Sequence, residues 1–276
     1  MKIKKLFIFY IFLTLTICYS EEKNQFFYSF NCEKPTRYEI NLKGSISYQY
    51  YEGIKPDVFD VSITGNLLLI SEKLEEEVYG VKIFPMKTSI KINEEVIEDI
   101  TYSETLVSSF IPTTKINIKK NGEIIETKDI SPGISSMSPL FKLLPIFPEK
   151  IIPGTKWKQT IPKFEILGLP VSSLEFWYIY ENQIGEIANF NFFSNQIIKE
   201  KENQKDLIIT SNGTNISSGK ILFNTSQGEI ESFTGNFNIK LKIVFSIPPE
   251  SKQKKSTKET LPLSFDVNLQ FTLKKL

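Results

Sequence analysis

Histidine is absent from this chain. That absence excludes Ser-His-Asp and Cys-His catalysis, imidazole acid–base work and nearly all zinc or haem ligation. Arginine is almost absent, since Arg37 is the sole one among 33 basic residues. The guanidinium is the preferred fork for phosphate and base edges, so its scarcity argues against a nucleic-acid partner. Cysteine is limited to Cys18 and Cys32. Cys18 lies in the leader described below, which leaves Cys32 alone and no intramolecular disulfide in the mature chain. Cys32 is expected as a buried small hydrophobe, with an exposed thiol as the alternative. An exported domain without such staples must be held together by its core.

Long apolar runs are also missing, with one exception at the start. Lys2, Lys4 and Lys5 precede an apolar stretch from Leu6 to Ile17, and Cys18-Tyr19-Ser20 then sets small side chains at the −3 and −1 positions before Glu21. This is the three-zone layout of a cleavable secretory signal, too short to span a bilayer. The expected product starts at Glu21 in the periplasm or cell envelope of a bacterium. Two alternatives stand beside it. One is an uncleaved anchor. The other is lipidation at Cys18, because Leu15-Thr16-Ile17-Cys18 matches a lipobox in part, with Ile17 where a small residue belongs. The leader holds three of the 33 basic residues, which leaves 30 against 32 acidic ones. So balanced a charge steers the protein neither to nucleic acid nor to an anionic membrane.

What the sequence has in quantity is alternation. Leu263, Phe265, Val267, Leu269, Phe271 and Leu273 alternate with polar residues, and so do Phe237, Ile239, Leu241, Ile243, Phe245 and Ile247. Period-two patterning of this length marks half-buried strands. Between them, residues 248–262 form a lysine-rich stretch without periodicity, read as a solvated loop. Lys220–Phe223 and Gly228–Ser232 flank a Ser226-Gln227-Gly228 turn and read as a hairpin. Further extended segments are expected at 44–51, 58–64, 66–70, 78–84, 89–92, 115–119, 123–127, 174–180, 187–193 and 207–210. The fold class is therefore all-β and mainly antiparallel, a barrel or half-barrel. A strand–turn–strand likeness between Lys115–Ile124 and Lys220–Ile230 raises the option of two similar halves. The expected layout is a signal peptide over 1–20, a β-rich half over 21–131, a connector over 132–170 and a second half over 171–276.

The connector holds seven of the 14 prolines, which breaks regular structure. Within it, residues 138–144 could form one or two helical turns with Pro139 at the first position. Ile134, Met137, Leu140, Phe141, Leu144 and Phe147, with Ile146 among them, are too apolar to lie in water. They read as a plug that seals the barrel or joins its halves. Functionally they are the candidate ligand-binding residues, a lid or contact surface over a hydrophobic groove.

Catalytic patterns are weak. Ser217-Ser218-Gly219-Lys220 and Ser251-Lys252-Gln253-Lys254 have S-x-x-K spacing, but neither opens a helix and no K-T-G follows. Glu75-Glu76-Glu77 and the acids at 94, 95, 98 and 99 lack the glycine and alternation of a calcium loop. They are expected as solvated strand ends. No phosphate-binding glycine loop occurs, and no cofactor is implied. Asn212, Asn215 and Asn224 begin formal glycosylation sequons, which matter only in a eukaryotic host.

Pro148-Glu149-Lys150-Ile151-Ile152-Pro153-Gly154-Thr155-Lys156-Trp157 resembles a phrase that joins two β-rich halves in uncharacterised exported bacterial proteins. Some of those are similar to half-barrel lipoprotein carriers that shield acyl chains. The resemblance implies a non-catalytic envelope protein whose partner is a lipid, another hydrophobic ligand or an envelope protein, with peripheral membrane contact as an option. It brings no catalytic residues. Apart from it, Pro153-Gly154 is a turn before a strand whose Trp157 packs in the core. Two other classes remain open: an outer-membrane β-barrel, because the same alternation can face lipid, and a secreted enzyme built on carboxylates.

Overall fold

The computed structural model describes residues 25–49, 53–100, 112–131, 141–166, 169–204, 207–246 and 260–276. Its strands are β1 (Thr36–Gln49), β2 (Asp57–Glu75), β3 (Val78–Ile92), β4 (Glu95–Ile100), β5 (Thr114–Lys119), β6 (Ile124–Asp129) and β7 (Lys156–Ile161). They continue as β8 (Phe164–Ile166), β9 (Leu169–Val171), β10 (Leu174–Ile184), β11 (Ile187–Gln204), β12 (Leu207–Asn224), β13 (Glu229–Ser246) and β14 (Thr260–Lys275). Twelve of them form one antiparallel sheet in the order β6-β5-β3-β2-β1-β14-β13-β12-β11-β10-β7, with β4 beside β3, while β8 and β9 make a separate hairpin. The protein is an all-β half-barrel: among the described residues β6 and β7 are the two ends of the sheet and do not pair.

The order has a simple logic. From β7 through β14, and on from β1 to β6, the strands of this path follow one another across the sheet in sequence order. β1 sits against β14 over twelve residue pairs, from Tyr38 with Lys275 to Gln49 with Ser264. The covalent link from β6 to β7 therefore has to return from one end of the sheet to the other.

The strands form because their apolar residues fall on one face. Phe233, Phe237, Ile239, Leu241 and Ile243 of β13 are buried, and so are Leu263, Phe265, Val267, Leu269, Phe271 and Leu273 of β14. Residues between them, such as Lys240, Lys242, Asn268 and Gln270, are exposed. Fully burying each such apolar side chain contributes about 1.5–3 kcal/mol. The inner faces of all the long strands share one core.

Two adjustments shape that core. In β3 the buried set is Val81 and Ile83, then Thr88 and Ile90. The pairing with β2 slips by one residue between Gly65 and Leu67, so a bulge near Met86 and Lys87 flips the inward phase. Segments 78–84 and 89–92, separate in the sequence pattern, are one strand for that reason. The second adjustment runs along the row Phe192–Gly219–Gly235–Phe271 across β11 to β14. The Phe192 ring lies over both glycines, and a Cβ on Gly235 would stand 2.8 Å from it. Glycine there makes room for an aromatic ring, which stacks on Phe233 at 5.1 Å and Phe237 at 5.9 Å.

Two strands, β7 and β8, fall inside the span 132–170 that proline density marks as irregular, and β9 begins there. The prolines bracket them: Pro153 precedes β7, Pro162 follows it, and Pro170 lies on the short β9, where a missing donor costs little. No helix among the described residues is long and apolar enough to cross a membrane.

Candidate ligand-binding site

Two non-sheet segments cover the inner face at the end where β5 meets β6 and β12 meets β13. One is residues 25–30, which precede β1. The other is residues 141–151, the strap that returns from β6 to β7. Both are rich in aromatic and apolar side chains, which gives them reason to lie against the core rather than in water.

Phe26 is buried against Phe147, Tyr180 and Phe190, with ring centroids 5.6, 5.1 and 5.3 Å away. Tyr28 stacks on Phe147 at 5.3 Å and meets Phe223 edge-on at 5.4 Å. The backbone of this segment bridges both arms of the sheet: Tyr28 N donates to Lys120 O at 2.7 Å and Ser29 N to Gly228 O at 2.9 Å.

The strap has no ladder of its own, so its polar backbone must be satisfied elsewhere. Buried side chains supply the partners. Gln159 of β7 donates from Nε2 to Lys142 O at 2.9 Å and Leu144 O at 3.0 Å, and its Oε1 accepts from Ile146 N at 2.9 Å. The Tyr178 hydroxyl donates to Leu143 O at 2.7 Å and that of Tyr28 to Pro145 O at 3.2 Å. Four consecutive carbonyls, 142 to 145, are thus held by three side chains. Burial pushes the hydroxyls of Tyr28 and Tyr178 well above the usual phenol range, which keeps them protonated as donors. Trp157 stacks on Tyr178 at 5.6 Å, and its Nε1 is buried without an acceptor.

Of the candidate residues, Ile134, Met137 and Leu140 lie outside the described residues. Phe141 and Phe147 are buried and Leu144 is packed against the core. They divide between two places. Phe147 joins the aromatic cluster around Phe26. Phe141 and Leu144 instead line an apolar cavity of about 40 Å³ together with Tyr28, Ile116, Ile230 and Leu273. A space that size holds about one water molecule and no acyl chain while the strap is in place.

Glu229 lines that cavity too, and it also lines a polar pocket of about 480 Å³ that opens beside it. Glu229 is buried, accepts from Thr36 Oγ1 at 3.2 Å and pairs with Lys275 at 2.5 Å. Lys275 also reaches Gln227 Oε1 at 2.5 Å. Arg37 and Lys34 line the same pocket.

The motifs singled out in the sequence do not assemble into catalytic sets. Ser217 is buried and donates to Asn215 Oδ1 at 2.5 Å, whereas Lys220 is exposed on the other face of β12. Residues three apart on a strand point to opposite sides. Ser251 to Lys254 lie outside the described residues. Glu75, Glu76 and Glu77 are exposed at the β2–β3 turn, as are Glu94 and Glu95 at the β3–β4 turn. Among the described residues no group of three His, Cys, Asp or Glu side chains is placed to hold a metal. Asn215 has no exposed surface and donates to Ser194 Oγ at 2.9 Å, so it cannot carry a glycan in the folded chain. The expectation for Cys32 is corrected: its thiol is exposed. It sits in a tight turn where Asn31 Oδ1 accepts from the backbone N–H of Glu33 and Lys34, between the core-bound Tyr28 and β1.

Gln159 and the two tyrosines escaped the sequence reading. The available signal was a lone amide on the apolar phase of Trp157-Gln159-Ile161, a position where a polar side chain must find partners. No protein-family model matches this chain, and comparison with curated proteins gives no match.

Proposed function

We propose that this is an exported cell-envelope protein that holds a hydrophobic ligand, or an apolar segment of an envelope partner, inside the half-barrel without chemical conversion. The strap of residues 141–151 is the cover that such a ligand displaces. One observation carries the reading. The strap and the segment 25–30 fill an apolar inner face, yet no continuous ladder ties the strap to the sheet: beside a bridge at Ile151 and one backbone bond from Phe147 N to Asn121 O at 2.8 Å, it is held by side-chain hydrogen bonds and ring contacts. Contacts of that kind exchange for ligand contacts more readily than a paired strand does. Phe141 and Leu144 are the residues on which such a ligand would first bear. The resemblance of 148–157 to exported β-rich proteins points the same way, and the signal-like leader supplies the route.

The outer face favours this reading over an outer-membrane barrel. Asn238, Lys240, Asn268 and Gln270 stand there at mid-strand, and lysine at the depth of a lipid face costs about 2–4 kcal/mol. Native mass spectrometry and organic extraction after gentle purification test the proposal. Bound acyl chains, or stoichiometric uptake of an apolar fluorescent probe, support it. A chain that purifies empty and takes up no probe overturns it.

A further inference from the structure

The outer face of β10–β12 breaks the polar pattern of the sheet's exterior. Phe176 and Tyr178 of β10, Phe192 and Ile198 of β11, and Asn215 and Ser217 of β12 are buried on the inner side. Trp177, Ile179, Phe193, Ile197 and Ile216 alternate with them and so point outward. Ile197 and Ile216 are 72% and 59% exposed, and the other three are partly exposed. The register brings the five together. Trp177 stands directly opposite Phe193, and Ile179 is the next outward residue after Trp177 on β10. Ile216 is opposite Asn195, which puts it diagonal to both Phe193 and Ile197. The result is one oblique apolar streak across three strands. A single exposed isoleucine needs no explanation, but a contiguous run of five with two aromatic rings marks a contact surface.

The charges around the streak indicate what it meets. Lys156 and Lys158 of β7, Lys199 of β11, Lys220 of β12 and Lys240 of β13 stand on the same face. The acids among them are Glu175, Glu181 and Asp266. Lys158 holds Glu175 at 2.7 Å and Lys240 holds Asp266 at 3.2 Å, while Glu181 accepts from Asn191 Nδ2 at 2.9 Å. Lys199 and Lys220 have no acidic partner among the described residues. Lys156 lies over the rings, with its Nζ 4.6 Å from the centre of Trp177 and 4.7 Å from that of Phe193. Three ammonium groups outside any ion pair thus flank the streak, against the single acid Glu181. The near-neutral composition of the chain hides this local excess. Aromatic rings with one side wet, beside lysines that keep their charged heads in water, are the side-chain chemistry of a membrane–water interface. Head-group phosphates supply the counter-charge. The same lysines oppose a strand that crosses the bilayer, so the contact is a shallow one.

We infer that the outer face of β10–β12 docks on an anionic lipid surface, with Trp177, Phe193, Ile197 and Ile216 at the interface and Lys156, Lys199 and Lys220 on the head-group phosphates. The inference concerns the outer face and stands apart from the ligand-holding role of the inner one. Flotation titrations of the full mature chain test it, with vesicles of phosphatidylcholine alone or of equal parts phosphatidylcholine and phosphatidylglycerol. The anionic vesicles should bind about tenfold more tightly, and raised salt should weaken that binding. Brominated acyl chains should quench the fluorescence of Trp177. Trp177→Phe should lose the quenching, because Trp157 lies inside, stacked on Tyr178. Ile197→Ser with Ile216→Ser should weaken binding about tenfold. Lys199→Glu with Lys220→Glu should remove most of the preference for anionic vesicles. All four positions are exposed, so both double variants should fold, as circular dichroism will verify. Equal binding to the two kinds of vesicle overturns the inference. Adsorption without quenching overturns it as well, since the contact would then be purely electrostatic. Binding to neither vesicle also overturns it, and self-association that the isoleucine double variant loses would then assign the streak to a second copy of the chain.

Discussion

The side-chain amide of Gln159 donates to the backbone carbonyl of Leu144 at 3.0 Å, fastening the strap to the edge strand β7. The same amide also meets Lys142 O and Ile146 N. Replacing it by leucine keeps the volume but leaves three buried backbone groups without partners. An unsatisfied buried group costs about 1–3 kcal/mol, and partial rehydration of the strap recovers some of that, so Gln159→Leu should cost about 2–4 kcal/mol. Urea unfolding measures the loss, and hydrogen exchange should quicken first over residues 142–147. Tyr178→Phe removes one of the four carbonyl bonds and should cost about 1–2 kcal/mol. Unchanged exchange in the strap of Gln159→Leu would mean that apolar packing alone holds it.

Gly122 and Gly154 separate backbone strain from docking. Both have positive φ, 97° and 87°. A Cβ on Gly154 meets nothing, whereas one on Gly122 would stand 2.5 Å from the Tyr28 ring and 2.6 Å from Pro145 O. Gly154→Ala should therefore cost only the conformational penalty, about 1 kcal/mol. Gly122→Ala should cost at least twice as much, because it also pushes the segment 25–30 and the strap apart. Equal melting temperatures for the two variants would show that these segments yield freely at Gly122.

The long strands were legible because their alternation is strict: residues 237–246 of the first segment lie within β13 and 263–273 within β14, and the Ser226–Gly228 turn stands where the pattern predicts it. What the pattern hid was continuity. The bulge in β3 reverses the inward phase, which a period-two reading takes for two strands. Likewise Gly219 interrupts an apolar run without interrupting the ladder. The apolar character of Phe141, Leu144 and Phe147 was visible, but their separation into two clusters was not, since it depends on Phe26 and Tyr28 arriving from more than a hundred residues away. Nor could local pattern place Thr36 beside Glu229 and Lys275, which meet because β14 stands between β1 and β13.

Asn215 joins Ser194 and Ser217 in a chain of hydrogen bonds inside an otherwise apolar face. Asn215→Ala strands both hydroxyls and opens a small void, so a loss of about 2–3 kcal/mol is expected. Converting all three positions together, Asn215→Leu with Ser194→Ala and Ser217→Ala, removes every orphan and should be milder than the single change. Chemical denaturation of the three chains checks the order. A triple variant weaker than Asn215→Ala would mean that shape at this site outweighs hydrogen bonding.

Cys32 offers a probe of the turn that leads into β1. Its exposed thiol should react fully with a maleimide under native conditions, at a rate close to that in denaturant. Mild oxidation should yield a disulfide-linked dimer and no internal bridge. Labelling that requires denaturant would place the thiol under cover and contradict the fold of residues 31–35.

Alkaline pH should unfold the protein through its buried tyrosines. Tyr28, Tyr38 and Tyr178 all have their hydroxyl pKa raised, chiefly by burial, with Glu229 adding to the effect on Tyr38. In the unfolded chain the same groups ionise near pH 10. Below that value the native and unfolded states bind equal numbers of these protons, and the contribution to stability is complete. Above it the unfolded state releases them while the native state retains them, so stability falls as pH rises. The slope is about 1.4 kcal/mol per pH unit for each group, or roughly 4 for the three together. Tyrosinate absorbance should therefore rise in two stages, exposed side chains first and the buried set in a cooperative step at higher pH. Far-ultraviolet dichroism should collapse in that second step. Tyr38→Phe should move the collapse to higher pH. A smooth titration of all tyrosines with the sheet intact would instead mean that water reaches Tyr28 and Tyr178 and that the strap opens without unfolding.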